Sequence, residues 1–187
     1  MNDITWEELA PYLHKSRHSD EEAQARGEQI VDFLQRQMKC ANIGLVHRGV
    51  GQPGWDNGSC TKFYLYFDDE WNPLPADLFA QKHSYILTLA VSERGPFIIS
   101  AGFECVWKPA EFGGDGGKKL YPQENGEAND KAQVLALAVA RTFELKYLNS
   151  EWLRGYKLDE ESLPVEVQLS LDYSEPDALN VLFDEQL

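Results

Sequence analysis

The period of the hydrophobic pattern changes near Asn42, and this change restricts the fold more than any other feature of the chain. Over residues 20–41, apolar side chains recur at steps of three and four, which is typical of one face of an amphipathic helix. Over residues 43–47 and 61–67 the pattern instead has period two, which is typical of half-buried strands. The chain therefore combines helices with adjacent strands.

Local signals predict further elements in the first half of the chain. Thr5 and Ser19 each stand three positions before a glutamate, which is the spacing of a capping box, so we expect a helix after each. A second pair of strands is predicted at residues 84–93 and 96–107, with Arg94-Gly95 as a two-residue turn between them.

The predicted strand 96–107 has two different faces. One face carries the apolar side chains Phe97, Ile99, Ala101, Phe103, Cys105 and Trp107. The other carries Ser100, Gly102 and Glu104, and we expect it to be partly solvated.

The second half of the chain begins with residues 108–129, which are rich in glycine and proline and predict a long surface loop. A mostly buried helix is predicted over residues 130–148. Alternation over residues 165–173 predicts a one-sided antiparallel strand, and Ser174 is expected to cap a last short helix that ends near Phe183.

The order of these elements contains no repeated βαβ crossover. It therefore favours an α+β fold with a mainly antiparallel sheet of about five strands and with helices packed on one face. The length of 187 residues predicts a single domain over residues 1–187.

Charge and the N-terminal sequence bear on partners and compartment. Acidic residues number 31 and basic residues 17, which gives a net charge of −14 and disfavours binding to nucleic acid or to an anionic membrane. Residues 1–12 lack the basic start and apolar run of a secretory signal, and the longest mostly apolar stretch, residues 134–140, is too short to span a bilayer. We expect a cytoplasmic protein. Its three cysteines are then reduced thiols.

Motif searches give no catalytic or metal site. Residues 49–54 match G-x-G-x-x-G, but a predicted strand follows where a dinucleotide site needs a helix. Residues 113–119 depart from a P-loop at Phe112 and Lys119. His14 and His18 have helical spacing, yet the glutamate of a zinc protease motif is missing. We therefore expect no catalytic residue, no metal and no cofactor.

After the motif searches, the distribution of charge is the remaining sequence feature that bears on function. Residues 158–187 hold nine acidic residues and neither Lys nor Arg, and a second acidic group, Asp68-Asp69-Glu70, lies next to aromatic residues. Such runs are often only a solvated face. They also suit a surface for a basic protein, with nearby aromatic side chains as anchors. The predicted binding residues are Trp55, Tyr66, Asp68, Asp69, Glu70, Trp71, Asp159, Glu160, Glu161, Asp172, Glu175 and Asp177.

Three functional hypotheses follow. The first is an acidic protein-binding module without catalysis, most concretely a bacterial immunity-type inhibitor that neutralises a basic toxin such as a nuclease. The second is an enzyme or small-ligand-binding protein with its site on the concave face of the sheet, lined by Arg48, Tyr64, Tyr66 and Glu104. The third is a homodimer joined through the predicted strand 165–173.

Overall fold

The computed structural model describes residues 4–15, 18–38, 43–46, 60–68, 83–109, 118–159, 161, 163 and 176–183. Its elements, numbered along the chain, are α1 (Trp6–Leu13), α2 (Asp20–Arg36), β1 (Ile43–Val46), β2 (Cys60–Asp68), β3 (His83–Ser92), β4 (Phe97–Pro109), β5 (Lys118–Glu124), α3 (Gly126–Thr142), β6 (Lys146–Tyr147), α4 (Ser150–Arg154) and α5 (Ala178–Phe183).

Both predicted capping boxes are confirmed. At α1 the Glu8 amide donates to the Thr5 hydroxyl at 3.4 Å, and the Glu8 carboxylate accepts the Thr5 amide at 2.9 Å. At α2 Ser19 and Glu22 make the same exchange at 3.3 and 3.0 Å. Each box satisfies backbone N–H groups that have no partner within the helix, which fixes the residue at which the helix begins.

The strands form one mixed sheet in the order β1-β2-β3-β4-β5, and those five strands pair antiparallel. β5 pairs with β4 from Phe103 onward, whereas β6 pairs in parallel with the first two residues of β4. The chain reaches that position through Glu144, whose φ of 55° turns it sharply after α3. The coarse α+β class is confirmed, but the sheet is not purely antiparallel.

The predicted loop over residues 108–129 is partly wrong, because it contains β5 and the first turn of α3. β5 includes Pro122 and two lysines, which are poor strand formers. Pairing with β4 overrides this weak propensity. In the antiparallel ladder, for example, Leu120 of β5 lies opposite Trp107 of β4.

Helices cover both faces of the sheet, which corrects the prediction that they lie on one face. The first core cluster joins α1, α4 and α5 to Phe97 and Ile99 of β4. The second joins α2 and α3 to Ile98 of β4 and to Leu87 and Leu89 of β3. Adjacent residues of a strand point to opposite faces of the sheet. β4 therefore presents apolar side chains on both faces, and helices must pack on each face to bury them.

Gly102 shows how closely α3 packs against β4. The sequence predicts that this face of β4 is partly solvated, but the glycine is buried beneath α3. A Cβ atom at this position would lie 2.1 Å from the carbonyl carbon of Ala128. The Gly102 amide also donates to the Asn129 side chain at 2.7 Å. The helix backbone therefore rests directly on the strand.

The last helix begins later than predicted. The predicted strand 165–173 and Ser174, the predicted cap of the last helix, lie outside the described residues. α5 starts at Ala178, and its cap is Asp177, whose Oδ1 accepts the Asn180 amide at 3.0 Å. Within the parts of the chain that the structure describes, none of the helices has the length and apolar character that crossing a bilayer requires.

Candidate interaction surface

The structure places only part of the predicted binding set. Asp159, Glu161 and Asp177 are described with their side chains. Tyr66 and Asp68 lie in β2. The other predicted residues lie outside the described residues; they are Trp55, Asp69, Glu70, Trp71, Glu160, Asp172 and Glu175.

Two of the three described carboxylates are at the surface and one is not. Asp159 and Glu161 are exposed, and Asp159 accepts the Glu161 amide at 3.2 Å. Asp177 is 6% exposed, caps α5 and places Oδ2 at 3.4 Å from the Lys157 ammonium. Asp177 thus has its role inside the fold and does not belong to the exposed acidic surface.

The site expected on the concave sheet face is divided by the strand register. Tyr64 lies opposite Thr88, which lies opposite Ala101, so these three residues share one face. Glu104 lies opposite Tyr85, which packs against the second core cluster on the other face. Tyr64 and Glu104 therefore cannot line one pocket. Arg48 lies outside the described residues.

Three aromatic side chains gather instead at the outer edge of the first core; we call Trp6, Trp152 and Tyr156 the aromatic cluster. The rings of Trp6 and Tyr156 are stacked, with centroids 4.0 Å apart and planes at 3°. Trp152 meets Tyr156 edge to face at 4.9 Å and 72°. All three rings remain partly exposed while packing against the buried core.

Local backbone features hold each ring in place. Trp6 is the first residue of α1, directly after its cap Thr5. In α4 the Trp152 amide donates to the Asn149 side chain at 2.9 Å, which caps that helix. The Tyr156 carbonyl accepts the Ala178 amide at 3.1 Å and so ties the cluster to α5. These contacts fix the backbone that carries each ring, and ring stacking holds Trp6 against Tyr156.

Exposed carboxylates adjoin the cluster in sequence. Glu7 follows Trp6, Glu151 precedes Trp152, and Asp159 and Glu161 follow Tyr156. A backbone hydrogen bond and the Thr5 hydroxyl, both at the start of α1, hold the pKa of Glu7 below its ordinary value. Two basic residues lie in the same segment, Arg154 and Lys157, and Lys157 pairs with Asp177.

Sequence reasoning missed the aromatic cluster because its members come from distant parts of the chain. Trp6 belongs to α1, whereas Trp152 and Tyr156 belong to and follow α4. The available signal was a tryptophan in the first turn of each of two helices, each time beside a glutamate. The pairing of these helices across one core is a property of the tertiary fold.

A second group of polar side chains lies around the turn between β3 and β4. Glu93 and Arg94 are almost fully buried there, at 1% and 2% exposure. The Glu93 carbonyl accepts the His18 amide at 2.8 Å, and the Arg94 guanidinium donates to the Lys15 carbonyl at 2.7 Å. Arg26 donates to the Ser92 carbonyl at 2.9 Å.

The contacts of this second group tie the segment between α1 and α2 to the sheet. Burial and the nearby Arg26 charge lower the pKa of His18, and the Glu22 carboxylate opposes that shift. Burial likewise lowers the pKa of Arg26, and Glu93 opposes it. The hydrogen bonds of this group to the backbone carbonyls of Ser92, Glu93 and Lys15 connect these elements directly. The group therefore joins the helices to the sheet rather than facing a partner.

Among the described residues, no three His, Cys, Asp or Glu side chains gather as metal ligands would. No family model, curated protein or solved structure matches this chain.

Proposed function

We propose that this protein is a cytoplasmic protein-binding module that holds a basic protein through the aromatic cluster and the carboxylates beside it. The most concrete form of the proposal is an immunity-type inhibitor that neutralises a basic toxin such as a nuclease. The observation that carries it is the stacked, partly exposed pair of Trp6 and Tyr156, with Trp152 against it.

Fixed aromatic rings suit the centre of a protein interface. Trp and Tyr are enriched among the residues that dominate binding energy, because they bury a large area and lose little side-chain entropy. Here stacking and the underlying core already hold the rings, so less entropy remains to be lost on binding. The cluster is therefore the anchor in this proposal.

The charges define the class of partner. A net charge of −14 attracts basic proteins and speeds their encounter through long-range steering. Glu7, Glu151, Asp159 and Glu161 would form the polar rim around the anchor. A protein that grips nucleic-acid phosphates is basic, and a carboxylate-rich surface competes for the same groove.

Charge variants test the rim without disturbing the core. The rim variant combines Glu151→Gln, Asp159→Asn and Glu161→Gln. Its matched control combines Glu21→Gln, Glu28→Gln and Asp32→Asn, three exposed positions of α2 on the other face of the sheet. Both variants change the net charge equally, so a difference between them reports the location of the interface.

The experiment is a pull-down from the native cytosol, followed by binding kinetics with the captured protein at two salt concentrations. We expect a basic partner whose association slows about tenfold with the rim variant and much less with the control. Added salt should slow the wild-type protein more than the rim variant. An acidic partner, or equal effects of both variants, would contradict the proposal.

The anchor is tested separately. Trp152→Ala should raise the dissociation rate by about thirtyfold, the effect of losing roughly 2 kcal/mol at a central aromatic residue. Thermal melting of the variant shows whether it is folded. A folded Trp152→Ala protein that releases the partner at the wild-type rate would remove the aromatic cluster from the interface.

A further inference from the structure

A cleft with a volume of about 530 Å³ lies between α1 and the start of β4. It is lined by Lys15, which follows α1, and on α1 by Glu8, Pro11 and Tyr12, whereas the aromatic cluster uses Trp6. At 3.6 residues per turn, these side chains project from opposite flanks of α1, with the buried Leu9 and Leu13 between them. The cleft is therefore a separate feature from the proposed protein interface.

The floor of the cleft is apolar and fixed. The half-buried Tyr12 ring is the aromatic part of the cleft surface, and the fully buried Phe97 ring supports it from behind, edge to face at 4.8 Å and 81°. The turn backbone lies directly against both rings, since a Cβ atom on Gly95 would come within 2.6 Å of each. Ile4, Pro11 and Pro96 complete the apolar lining. An aromatic or aliphatic group would find a preformed surface here.

Two cations stand beside this floor in a protein that is otherwise strongly acidic. Lys15 places its ammonium 5.2 Å from the centre of the Tyr12 ring. The backbone of Lys146 is held beside the cleft by its amide, which donates to the Pro96 carbonyl at 2.7 Å. Both side chains are exposed, and among the described residues no carboxylate is within ion-pair distance of either ammonium.

One carboxylate also lines the cleft, and it already has a role. Oε2 of Glu8 accepts the Thr5 amide at 2.9 Å as part of the capping box. That hydrogen bond directs the carboxylate toward the start of α1. The cleft therefore combines an apolar floor, an aromatic wall and two ammonium groups whose charge exceeds that of the single carboxylate.

We propose that this cleft binds a small aromatic carboxylate, with the ring against Tyr12, Pro11 and Pro96 and the carboxylate at Lys15 and Lys146. The volume falls in the range of about 300–1,000 Å³ that is usual for small-molecule sites. Ammonium groups beside an apolar wall form charge-assisted hydrogen bonds with a carboxylate, while the wall takes up the ring. The proposal does not depend on the protein-binding function above.

The probe is 4-fluorophenylacetate, observed by fluorine NMR as the wild-type protein is titrated. Two comparison probes keep the ring and change the charge: neutral 4-fluorotoluene and cationic 4-fluorobenzylamine. We expect saturable binding of the carboxylate, at least about tenfold tighter than either comparison probe. Equal binding of all three, or no saturable binding of the carboxylate, would overturn the proposal.

Variants then locate the site. Because both lysines are exposed, they can be replaced without disturbing the core. The double variant Lys15→Gln, Lys146→Gln should weaken 4-fluorophenylacetate binding by about tenfold or more. The controls are Arg141→Gln on α3, and Arg141→Gln combined with Arg36→Gln on α2, which repeats the double charge change away from the cleft. The controls should bind as the wild-type protein does. Equal weakening in the lysine pair and the arginine pair would show a general charge effect and refute the assignment.

Discussion

Gly102 is the residue at which the packing of the molecule is least tolerant. Its missing side chain lets the first turn of α3 approach β4, with the Ala128 oxygen 2.3 Å and the Asn129 nitrogen 2.4 Å from where a Cβ atom would stand. These are backbone atoms, so they cannot rotate away as the end of a flexible side chain can. An added methyl group must displace the helix.

Gly102→Ala is therefore expected to lower the free energy of unfolding by about 1–3 kcal/mol or more, the usual cost of overpacking a core. The measurement is urea denaturation. The control is Gly126→Ala at the first residue of α3, where nothing lies within 4 Å of the added Cβ. That control should keep or slightly raise stability because alanine favours helix. Similar losses in both variants would contradict the close approach.

His18 links stability to pH. Burial and Arg26 lower its folded-state pKa, so at pH values between the folded and unfolded pKa the unfolded chain binds more protons. The stability from neutral His18 is therefore present above about pH 6.5, the unfolded value, and is lost as the pH falls through the folded pKa. We expect the free energy of unfolding to decrease on acidification below about pH 6.5.

The comparison is between His18→Gln and His14→Gln, which make the same chemical change at the two ends of the connection between α1 and α2. Denaturation is measured at intervals of half a pH unit from about pH 7.5 to about pH 4.5, a window that brackets the ordinary histidine pKa. His18→Gln should flatten the acid side of the curve relative to His14→Gln. Identical slopes in the two variants would remove His18 as the cause.

At the scale of elements, the sequence predicts best where the signal is local. The capping boxes at Thr5 and Ser19 involve residues three positions apart, and both helices begin where the boxes place them. β5 could not be found this way, because its ladder to β4 depends on residues outside the segment. Likewise, the two apolar faces of β4 become evident only when both covering layers are known.

Asp177 illustrates the same distinction for charge. In the sequence it is one of nine acidic residues near the end of the chain, and nothing separates it from Glu161. In the fold the Asp177 carboxylate accepts the Asn180 amide and pairs with Lys157. In return, the Asn180 side chain accepts the Asp177 amide at 2.9 Å. One carboxylate thus stabilises α5, whereas the other lies at the surface.

Asp177→Ala should lower the free energy of unfolding by about 1–2 kcal/mol, the cost of a lost N-cap. Glu161→Ala, at an exposed position, should change it by no more than about 0.5 kcal/mol. Both values come from denaturation at neutral pH. If the two losses were equal, the assignment of Asp177 to the cap of α5 would be wrong.

At the scale of the whole molecule, the two core clusters share the central strands. Phe97 and Ile99 of β4 belong to the first cluster, and Ile98 between them belongs to the second. The aromatic cluster and the cleft both depend on α1, which lies on the first face. Because one sheet supports both cores, damage to either core is transmitted to the other through β3 and β4.

This shared sheet gives a test of the single-domain prediction. Phe183→Ala removes a ring with no solvent exposure from the first cluster and should cost about 3–5 kcal/mol. Leu89→Ala removes a buried side chain from the second cluster and should cost about 2–5 kcal/mol. Val134→Ala, at a side chain with 62% exposure, is the control and should stay within about 0.5 kcal/mol.

Unfolding is followed by tryptophan fluorescence, which includes Trp6 and Trp152 on the first face, and by far-ultraviolet circular dichroism, which reports the helices of both faces. A single domain unfolds in one transition, so the two probes should give coincident curves. Phe183→Ala and Leu89→Ala should each shift both curves together. If Leu89→Ala shifted the dichroism and left the fluorescence transition in place, the two faces would be unfolding independently, and the prediction of one domain would be wrong.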